Sequence, residues 1–290
     1  MARSERSSSG GGRGAVPLYE GIELSYTDTA SGPLPCPCAA PGRILQIDHC
    51  RAGQIEWRTA RGVSVFLDPG DYAVRMLGDR ADLPSPTGRY QGLTIRVDLR
   101  EVSAHPPGPI AEIFGGPLPE RLRRSGAAVF LAGNERSESI FSGFYGQPEH
   151  LRLPYQRVKV LELLLYLAQI EAAPQDRLPE YRAGQVEVVR EIHDQLLHHM
   201  EQRITIEELS RQYLIDPTTL KAAFKAVYGT PLASHIKRHR MEQAAKLLRE
   251  TDMSIAEIAR AVGYDSPSRF TSSFKAVFQI LPKEYRRSQL

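Results

Sequence analysis

Apolar residues are spaced differently in the two halves of this chain. Between about Val16 and Leu99 they form short runs that are rich in β-branched side chains and often alternate with polar residues. Five such runs are GRILQIDHC, GQIEWRT, VSVFLD, DYAVRML and GLTIRVDL. Turn-forming triplets such as Pro69-Gly70-Asp71 separate them. Short strands with frequent turns predict an antiparallel barrel or sandwich.

Helical spacing replaces this pattern in the middle of the chain. The segment from Leu151 to about Ala172 carries a broad apolar stripe, made of Val158, Leu161, Leu164, Leu165, Tyr166 and Ile170. Such a stripe packs against the preceding strands or pairs with the same helix of a second chain, and the pattern leaves both open. Residues 173–184 contain prolines and charges and predict a linker.

One pattern then occurs twice in residues 185–290. TIEELSRQYLIDPTTLKAAFKAVYG is followed later by SIAEIARAVGYDSPSRFTSSFKAVF. Each copy starts with a capping box, Thr205 with Glu208 and Ser254 with Glu257. In the first helix of each copy the apolar residues recur three and four apart: Ile206, Leu209 and Tyr213, then Ile255, Ile258, Ala259 and Val262. Asp216-Pro217 and Ser266-Pro267 begin the second helices as a cap followed by proline. Each copy therefore predicts two helices and a tight turn, the layout of a helix-turn-helix.

The second helix of each copy has two contrasting faces. One is apolar, formed by Leu220, Phe224 and Val227 and by Phe270, Phe274 and Val277. The opposite side is small, polar and basic, which suits the wall of a major groove. We expect base readout by Thr218, Lys221 and Ala222 in the first copy and by Ser268, Thr271 and Ser272 in the second. Lys225, Arg269 and Lys275 are predicted phosphate contacts. The alternative is a solvated face of an ordinary helical bundle.

A connecting helix and a local charge excess support the DNA interpretation. Pro231 to about Glu250 contains no internal proline or glycine. Twenty helical residues would span about 30 Å, close to the ~34 Å between successive major-groove faces on one side of a duplex. The chain has a net charge of +3, but the stretch from Pro217 to the end holds 13 Lys and Arg against 6 Asp and Glu, an excess of 7. Basic charge concentrated there favours a polyanionic partner.

Residues 185–290 resemble the DNA-binding domain of the AraC/XylS family of bacterial transcription regulators. The matching features are Leu220-x-x-x-Phe224-Lys225, Gly229-x-Pro231, Ile258-Ala259-x-x-x-Gly263-Tyr264-x-Ser266, Phe270-x-x-x-Phe274-Lys275 and Pro282-x-x-Tyr285-Arg286. Two residues depart from the family pattern, Ser272 in place of an arginine and Gln279 in place of a glycine. The resemblance implies a sequence-specific, ligand-responsive activator rather than an enzyme. Its implied partners are a double-stranded operator, RNA polymerase, a small-molecule effector and a second copy of the chain.

The N-terminal half resembles the branch of this family that is like the pyochelin-siderophore regulator. The resemblance is carried by HCRAGQIEW, FLDPGD and YQGLTIRVDL. It implies a cupin-like β-barrel with following helices over residues 15–172, and so an α+β chain with an all-α C-terminal domain. We expect Arg51, Glu56 and Trp57 to lie near the barrel interior as an effector pocket. The alternative is that Trp57 belongs to the core and that the charges lie outside.

Length and composition fit two soluble domains. Of 290 residues, 41% are hydrophobic and 24% charged, and no apolar run reaches the roughly 18 residues of a membrane span. Residues 1–14 lack the apolar region of a signal peptide and predict a disordered tail. We therefore expect a cytoplasmic protein.

Candidate metal ligands are few and scattered. Cys36, Cys38, His49 and Cys50 offer soft ligands, but their spacing matches no zinc motif, so we expect no metal and no cofactor. His49, His105 and His150 are isolated, which argues against a catalytic cupin. Three further histidines, His193, His198 and His199, are expected on a helix surface. The rival hypothesis is a cupin-type metal-dependent enzyme, or a redox or metal sensor, that carries a DNA-binding tail.

Overall fold

The chain divides into two compact units. The computed structural model describes residues 12–29, 44–59, 62–77, 83–111, 128–170, 176–202 and 204–288. The first unit extends to Glu180 and the second begins at Tyr181. No helix in these ranges is long and apolar enough to cross a membrane.

Short strands dominate the first unit. They are β1 (Gly12–Tyr19), β2 (Ile22–Thr29), β3 (Ile44–Ala52), β4 (Ile55–Arg58), β5 (Val63–Leu67), β6 (Tyr72–Met76), β7 (Leu83–Pro86), β8 (Tyr90–Asp98) and β9 (Val129–Leu131). The five runs identified in the sequence correspond to β3, β4, β5, β6 and β8, which confirms them as strands. Because β1 begins at Gly12, it includes the last residues of the segment predicted as a tail.

The strands form two antiparallel sheets. One has the order β1–β2–β8–β3–β6–β9, and within this unit the other runs β5–β4–β7. In the centre of the larger sheet, Ile47 is paired with Ile95 on one side and Val74 on the other. Neither sheet closes on itself within the described ranges, so the cupin-like barrel is not confirmed, whereas the mixed helix-and-sheet architecture is.

Both faces of the larger sheet are covered. One face packs against helices, and its core includes Ile47, Ile95 and Phe141. The other face contributes Cys50 and Ala73 to a core shared with Trp57 of the smaller sheet, which includes β4. Burial on both sides explains why six consecutive residues of β3, Leu45 to Cys50, are buried.

The helices described in this unit are α1 (Leu99–Ala104), α2 (Glu135–Ser142) and α3 (Glu149–Gln169), with a 3₁₀ turn at Gly108–Ile110. The apolar stripe predicted for α3 divides between two sides of the helix. Leu164 and Tyr166 are buried against the sheet, whereas Val158 is 65% exposed. Core packing therefore accounts for only part of the stripe.

The second unit begins with β10 (Tyr181–Arg182) and is otherwise helical. Its helices are α4 (Ala183–His198), α5 (Ile206–Gln212), α6 (Pro217–Tyr228), α7 (Leu232–Glu250), α8 (Ile255–Ala261), α9 (Pro267–Phe278) and α10 (Pro282–Arg287). Both predicted helix-turn-helix motifs are present, α5–α6 as the first head and α8–α9 as the second head. The connecting helix α7 has 19 residues, or about 28 Å.

Each head has its own apolar support. In the second head, Phe270 and Phe274 pack with Met241 and Leu248 of α7. In the first head, Leu220 and Phe224 are fully buried, and α6 packs mainly on α4. Because the aromatic faces of α6 and α9 are buried, their opposite faces are directed to solvent.

Candidate nucleic-acid interface

The two heads begin with the same hydrogen bonds. In the first, Thr205 Oγ1 accepts from the Glu208 backbone N–H at 3.2 Å and Glu208 Oε2 accepts from the Thr205 N–H at 2.7 Å. Ser254 and Glu257 repeat these bonds at 3.2 and 2.7 Å. Accepting these bonds lowers the pKa of each glutamate carboxyl below its usual range. Both predicted capping boxes are confirmed.

The turn inside each head uses the same left-handed backbone with different residues. Gly263 has φ +78° and Leu214, at the matching place in the first head, has φ +52°. The turns are closed by equivalent bonds, Ile215 N–H to Ser210 O at 3.1 Å and Tyr264 N–H to Ala259 O at 2.9 Å. The first head thus forms its turn without glycine, and the Leu214 side chain is 94% exposed.

The recognition helices α6 and α9 are capped differently. Asp216 accepts from the Thr219 N–H at 2.8 Å. Ser266 occupies the same cap position, but its side chain makes no capping hydrogen bond, so that part of the prediction was wrong. Serine is one atom shorter than aspartate, and the backbone φ is −122° at Ser266 against −60° at Asp216.

The faces predicted to meet DNA are accessible. Eight of the nine predicted contact residues are exposed and Thr271 is half-buried; the exposed ones are Thr218, Lys221, Ala222, Lys225, Ser268, Arg269, Ser272 and Lys275. On the predicted apolar sides, Val227 is buried, but Val277 is 38% exposed. The structure thus brings the predicted residues of each head together on one solvent-facing surface.

Two arginines, to which the sequence patterns gave no structural role, connect separate segments of this unit. Arg240 of α7 donates to the backbone oxygen of Gln202 at 2.8 Å and to that of Gly263 at 3.4 Å. It therefore links the connecting helix to the segment that precedes α5 of the first head and to the turn of the second head. Arg286 donates from Nη2 to Met253 O at 2.6 Å and from Nε to Leu248 O at 3.3 Å. Its place in the Pro282-x-x-Tyr285-Arg286 motif was the available signal.

Comparison with known proteins matches this region. A family model described as "Helix-turn-helix domain" covers residues 209–288. The chain is 32% identical over 103 residues to the transposon Tn10 TetD protein of Escherichia coli, spanning 36% of this chain and 75% of TetD. It is 37% identical over 83 residues to a "putative AraC-like transcription regulator" of Streptomyces lividans, spanning 29% of this chain and 27% of that protein.

The chain belongs to the AraC/XylS family of transcription regulators. A further relative is the "lactose operon transcription activator" of Staphylococcus xylosus, 30% identical over 128 residues, or 43% of this chain and 46% of that protein. Apart from TetD, these curated relatives are each matched over less than half their own length.

The departures from the AraC/XylS pattern have different structural settings. Ser272 is exposed on α9 among the predicted contact residues. Gln279 ends α9 in the left-handed conformation with φ +61°, as Gly229 ends α6 with φ +70°. Gln279 thus retains the backbone shape of the family glycine with a side chain that disfavours it.

The first unit holds two neighbouring cavities of about 490 and 520 Å³. Arg51 and Tyr145 line both, and the Arg51 guanidinium carbon lies 4.4 Å from the centre of the Tyr145 ring. His49 lines the second cavity, and its ring is stacked on that of Phe141 with the ring centres 4.1 Å apart. Burial, and secondarily Arg51, lower the pKa of His49 to about 4, so its ring is neutral near pH 7.

The other two predicted pocket residues lie elsewhere. Trp57 is fully buried in the core between the sheets, as the alternative for this residue proposed. Glu56 is only 3% exposed, and its Oε1 accepts hydrogen bonds from Ser64 Oγ at 2.8 Å and Arg58 Nε at 3.1 Å. Neither residue is among those lining the two cavities.

Of the three cysteines considered as metal ligands, only Cys50 lies in the part of the chain that the structure describes. Cys36 and Cys38 lie outside the described residues, and Cys50 is buried. Burial raises the pKa of the Cys50 thiol to about 12, so this sulfur is protonated at neutral pH. A protonated, buried thiol is a poor metal ligand and nucleophile.

Proposed function

We propose that this regulator is a ligand-responsive activator that reads its operator with α6 and α9. The observation that carries the proposal is the duplicated head. Both recognition helices bury an apolar face and expose a polar, basic one, and both contact the same connecting helix. An ordinary bundle has no need for two such surfaces of matching sequence.

The two heads divide their contacts between bases and backbone. In the first head Thr218, Lys221 and Ala222 read base edges, and in the second Ser268, Thr271 and Ser272 do so. Lys225, Arg269 and Lys275 contact phosphates, which set the register of each helix in its groove. Their exposure on one surface supports this assignment.

A genome-wide binding map followed by affinity measurements tests the proposal. At one fixed salt concentration, duplexes recovered from the map should bind the full chain at least about 10³-fold more tightly than scrambled duplexes of equal length. Equal affinity for recovered and scrambled duplexes would reduce the protein to a non-specific DNA binder.

Activation requires contact with RNA polymerase, and this part of the proposal is supported by the activator name of the Staphylococcus xylosus relative. Transcription in vitro from a mapped promoter should rise when the protein is added. A fall in transcript would make the protein a repressor at that site.

The cavities around Arg51 are the proposed effector site. Their volumes suit a small organic molecule. The first cavity has two arginines, Arg51 and Arg152, against one carboxylate, Asp28, which favours an anionic group there. We assign the two sheets to a cupin-like sensor, supported by the packed core between them. Arg51→Gln should abolish the transcriptional response to an active cell extract and leave operator affinity without extract unchanged. A normal response in Arg51→Gln would place the effector elsewhere.

The free side of α3 is the proposed dimer surface. Leu151, Tyr155, Val158 and Leu165 follow one another at three- and four-residue steps (with Glu162 between them) and are 38–65% exposed. An apolar stripe of this kind buries itself against a second copy. Light scattering should show a dimer for the full chain and a monomer for Val158→Lys. A Val158→Lys protein that stays dimeric would exclude this surface.

A further inference from the structure

Three histidines of the second unit converge away from the proposed DNA-reading residues. His193 lies on α4, and His235 and His239 lie one helical turn apart on α7. His235 Nε2 is 3.1 Å from His193 Nε2 and 3.0 Å from His239 Nε2. His235 is buried, and the His193 side chain is only 15% exposed.

The outer nitrogens of these rings face two carboxylates and one hydroxyl. His193 Nδ1 lies 3.2 Å from the Asp194 carboxylate and His239 Nδ1 lies 3.4 Å from the Glu242 carboxylate. His235 Nδ1 lies 3.4 Å from Thr230 Oγ1. A carboxylate only accepts hydrogen bonds, so it selects the tautomer in which Nδ1 carries the proton. The Nε2 atoms of His193 and His239 then present lone pairs.

This arrangement leaves the inner nitrogens without enough protons to pair one another. An N–H on His235 Nε2 can donate to His193 or to His239 but not strongly to both. If His235 Nε2 also has a lone pair, three lone pairs meet at one place. A cation placed among them removes this repulsion.

We propose that His193, His235 and His239 bind one divalent transition-metal ion through their Nε2 atoms. Tetrahedral zinc with Zn–N bonds of about 2.0–2.1 Å holds its nitrogens roughly 3.3 Å apart, close to the 3.0 and 3.1 Å found between these atoms. Imidazole ligands suit zinc, copper and nickel. Asp194 and Glu242 supply the outer carboxylates that usually orient metal-binding histidines.

The site lies where it clamps the first head. His193 is stacked on Tyr228 of α6 with ring centres 4.3 Å apart, and His235 packs edge-on against Phe224 at 5.5 Å. An ion held by α4 and α7 would therefore fix both helices around the C-terminal end of α6. Metal binding is then linked to the stability of the first head.

Zinc titration of the full, chelator-treated chain tests the proposal. Calorimetry should show one Zn²⁺ per chain, with an affinity at least about 100-fold lower in His193→Gln and in His239→Gln. His199→Gln, which changes an exposed histidine just after α4, is the matched control and should bind as the native chain does. Circular dichroism establishes that each variant is folded.

Two further measurements test whether cysteine thiolates bind the metal, and the first of them uses the native chain, so it does not depend on the folding of a variant. Co²⁺ bound to the native chain should give visible d–d bands without thiolate charge-transfer absorption, since its protein ligands are imidazoles. A Cys36→Ser/Cys38→Ser variant should retain full Zn²⁺ affinity. No zinc binding by the native chain, native affinity in both histidine variants, or loss of binding in the cysteine variant would each overturn the site.

Discussion

At the scale of single residues, the turns of the two heads differ at their left-handed position, which is Leu214 in the first head and Gly263 in the second. Leu214 has φ +52° and is almost fully exposed, so it has little packing to offset a left-handed backbone. That conformation costs a non-glycine residue roughly 1–2 kcal/mol. Leu214→Gly should raise the free energy of unfolding of the second unit by about 1 kcal/mol in a urea titration, part of the relief being offset by the freedom of glycine in the unfolded chain.

The opposite change in the second head is the matched control. A Cβ on Gly263 would lie 2.5 Å from the backbone oxygen of Met200, at φ +78°. Gly263→Ala should therefore lower the same free energy by more than about 1 kcal/mol. If Leu214→Gly proves destabilising, the exposed leucine must have partners in the folded chain, and the strain argument fails.

His49 predicts the acid sensitivity of the first unit. Its pKa is about 4 in the folded chain, against 6.5 for the free residue. As the pH falls below 6.5, His49 becomes protonated in the unfolded chain, whereas in the folded chain it stays neutral until about pH 4. The contribution of His49 to the free energy of unfolding is therefore fully present above pH 6.5 and decreases below it. Between pH 7 and pH 5 this contribution falls by about 2 kcal/mol.

A variant that cannot be protonated isolates this contribution. In urea titrations of the full chain at pH 7 and pH 5, His49→Gln should lose about 2 kcal/mol less than the native protein does. The native protein serves as reference for all other titrating groups, including the buried Asp48. Equal losses in the two proteins would show that His49 titrates normally.

Lys221 is the residue that best separates base readout from backbone contact. It is exposed on the side of α6 that we propose faces DNA. If it reads a base, Lys221→Ala should weaken the free energy of operator binding by about 1–3 kcal/mol and reduce the sequence preference at one base pair. Lys246→Ala, an exposed lysine of α7 away from both recognition faces, is the control. A uniform loss over all sequences would reassign Lys221 to a phosphate, and no loss would remove it from the interface.

At the scale of whole elements, the two heads have similar backbone structures but different side chains on the surfaces that we propose read DNA. The first head has Lys221 where the second has Thr271, and Ser272 replaces the arginine of the family pattern. Serine and threonine reach less far and cannot make a bidentate contact to guanine. In a selection from randomised duplexes, the half-site under α9 should therefore carry less information than the half-site under α6. Equal or greater information under α9 would refute this ranking.

Sequence patterns predicted helix starts well where residues close together in the chain determine the local structure. Thr205 with Glu208 and Ser254 with Glu257 fixed the starts of α5 and α8, since a capping box needs only neighbours in sequence. Ser266 shows the limit, because a suitable cap residue makes its hydrogen bond only if the backbone aims the side chain correctly.

At the scale of the whole molecule, contacts between distant segments were the features that sequence patterns missed. Glu56 was expected to line an effector pocket with Arg51 and Trp57, but it is buried and accepts a hydrogen bond from Ser64 on the adjacent strand. His193 was expected on the surface. It meets His235 and His239 only because α4 packs beside α7, which helical periodicity within α4 cannot reveal.

In the proposed function, one chain reads DNA with two heads joined by α7. Selection of the full chain against a randomised duplex library tests this proposal most directly. We expect two enriched half-sites with centres about 10–10.5 base pairs apart, with Lys221→Ala erasing the base preference only in one half-site and Thr271→Ala only in the other. A single enriched half-site, or loss of both preferences from either substitution, would contradict it.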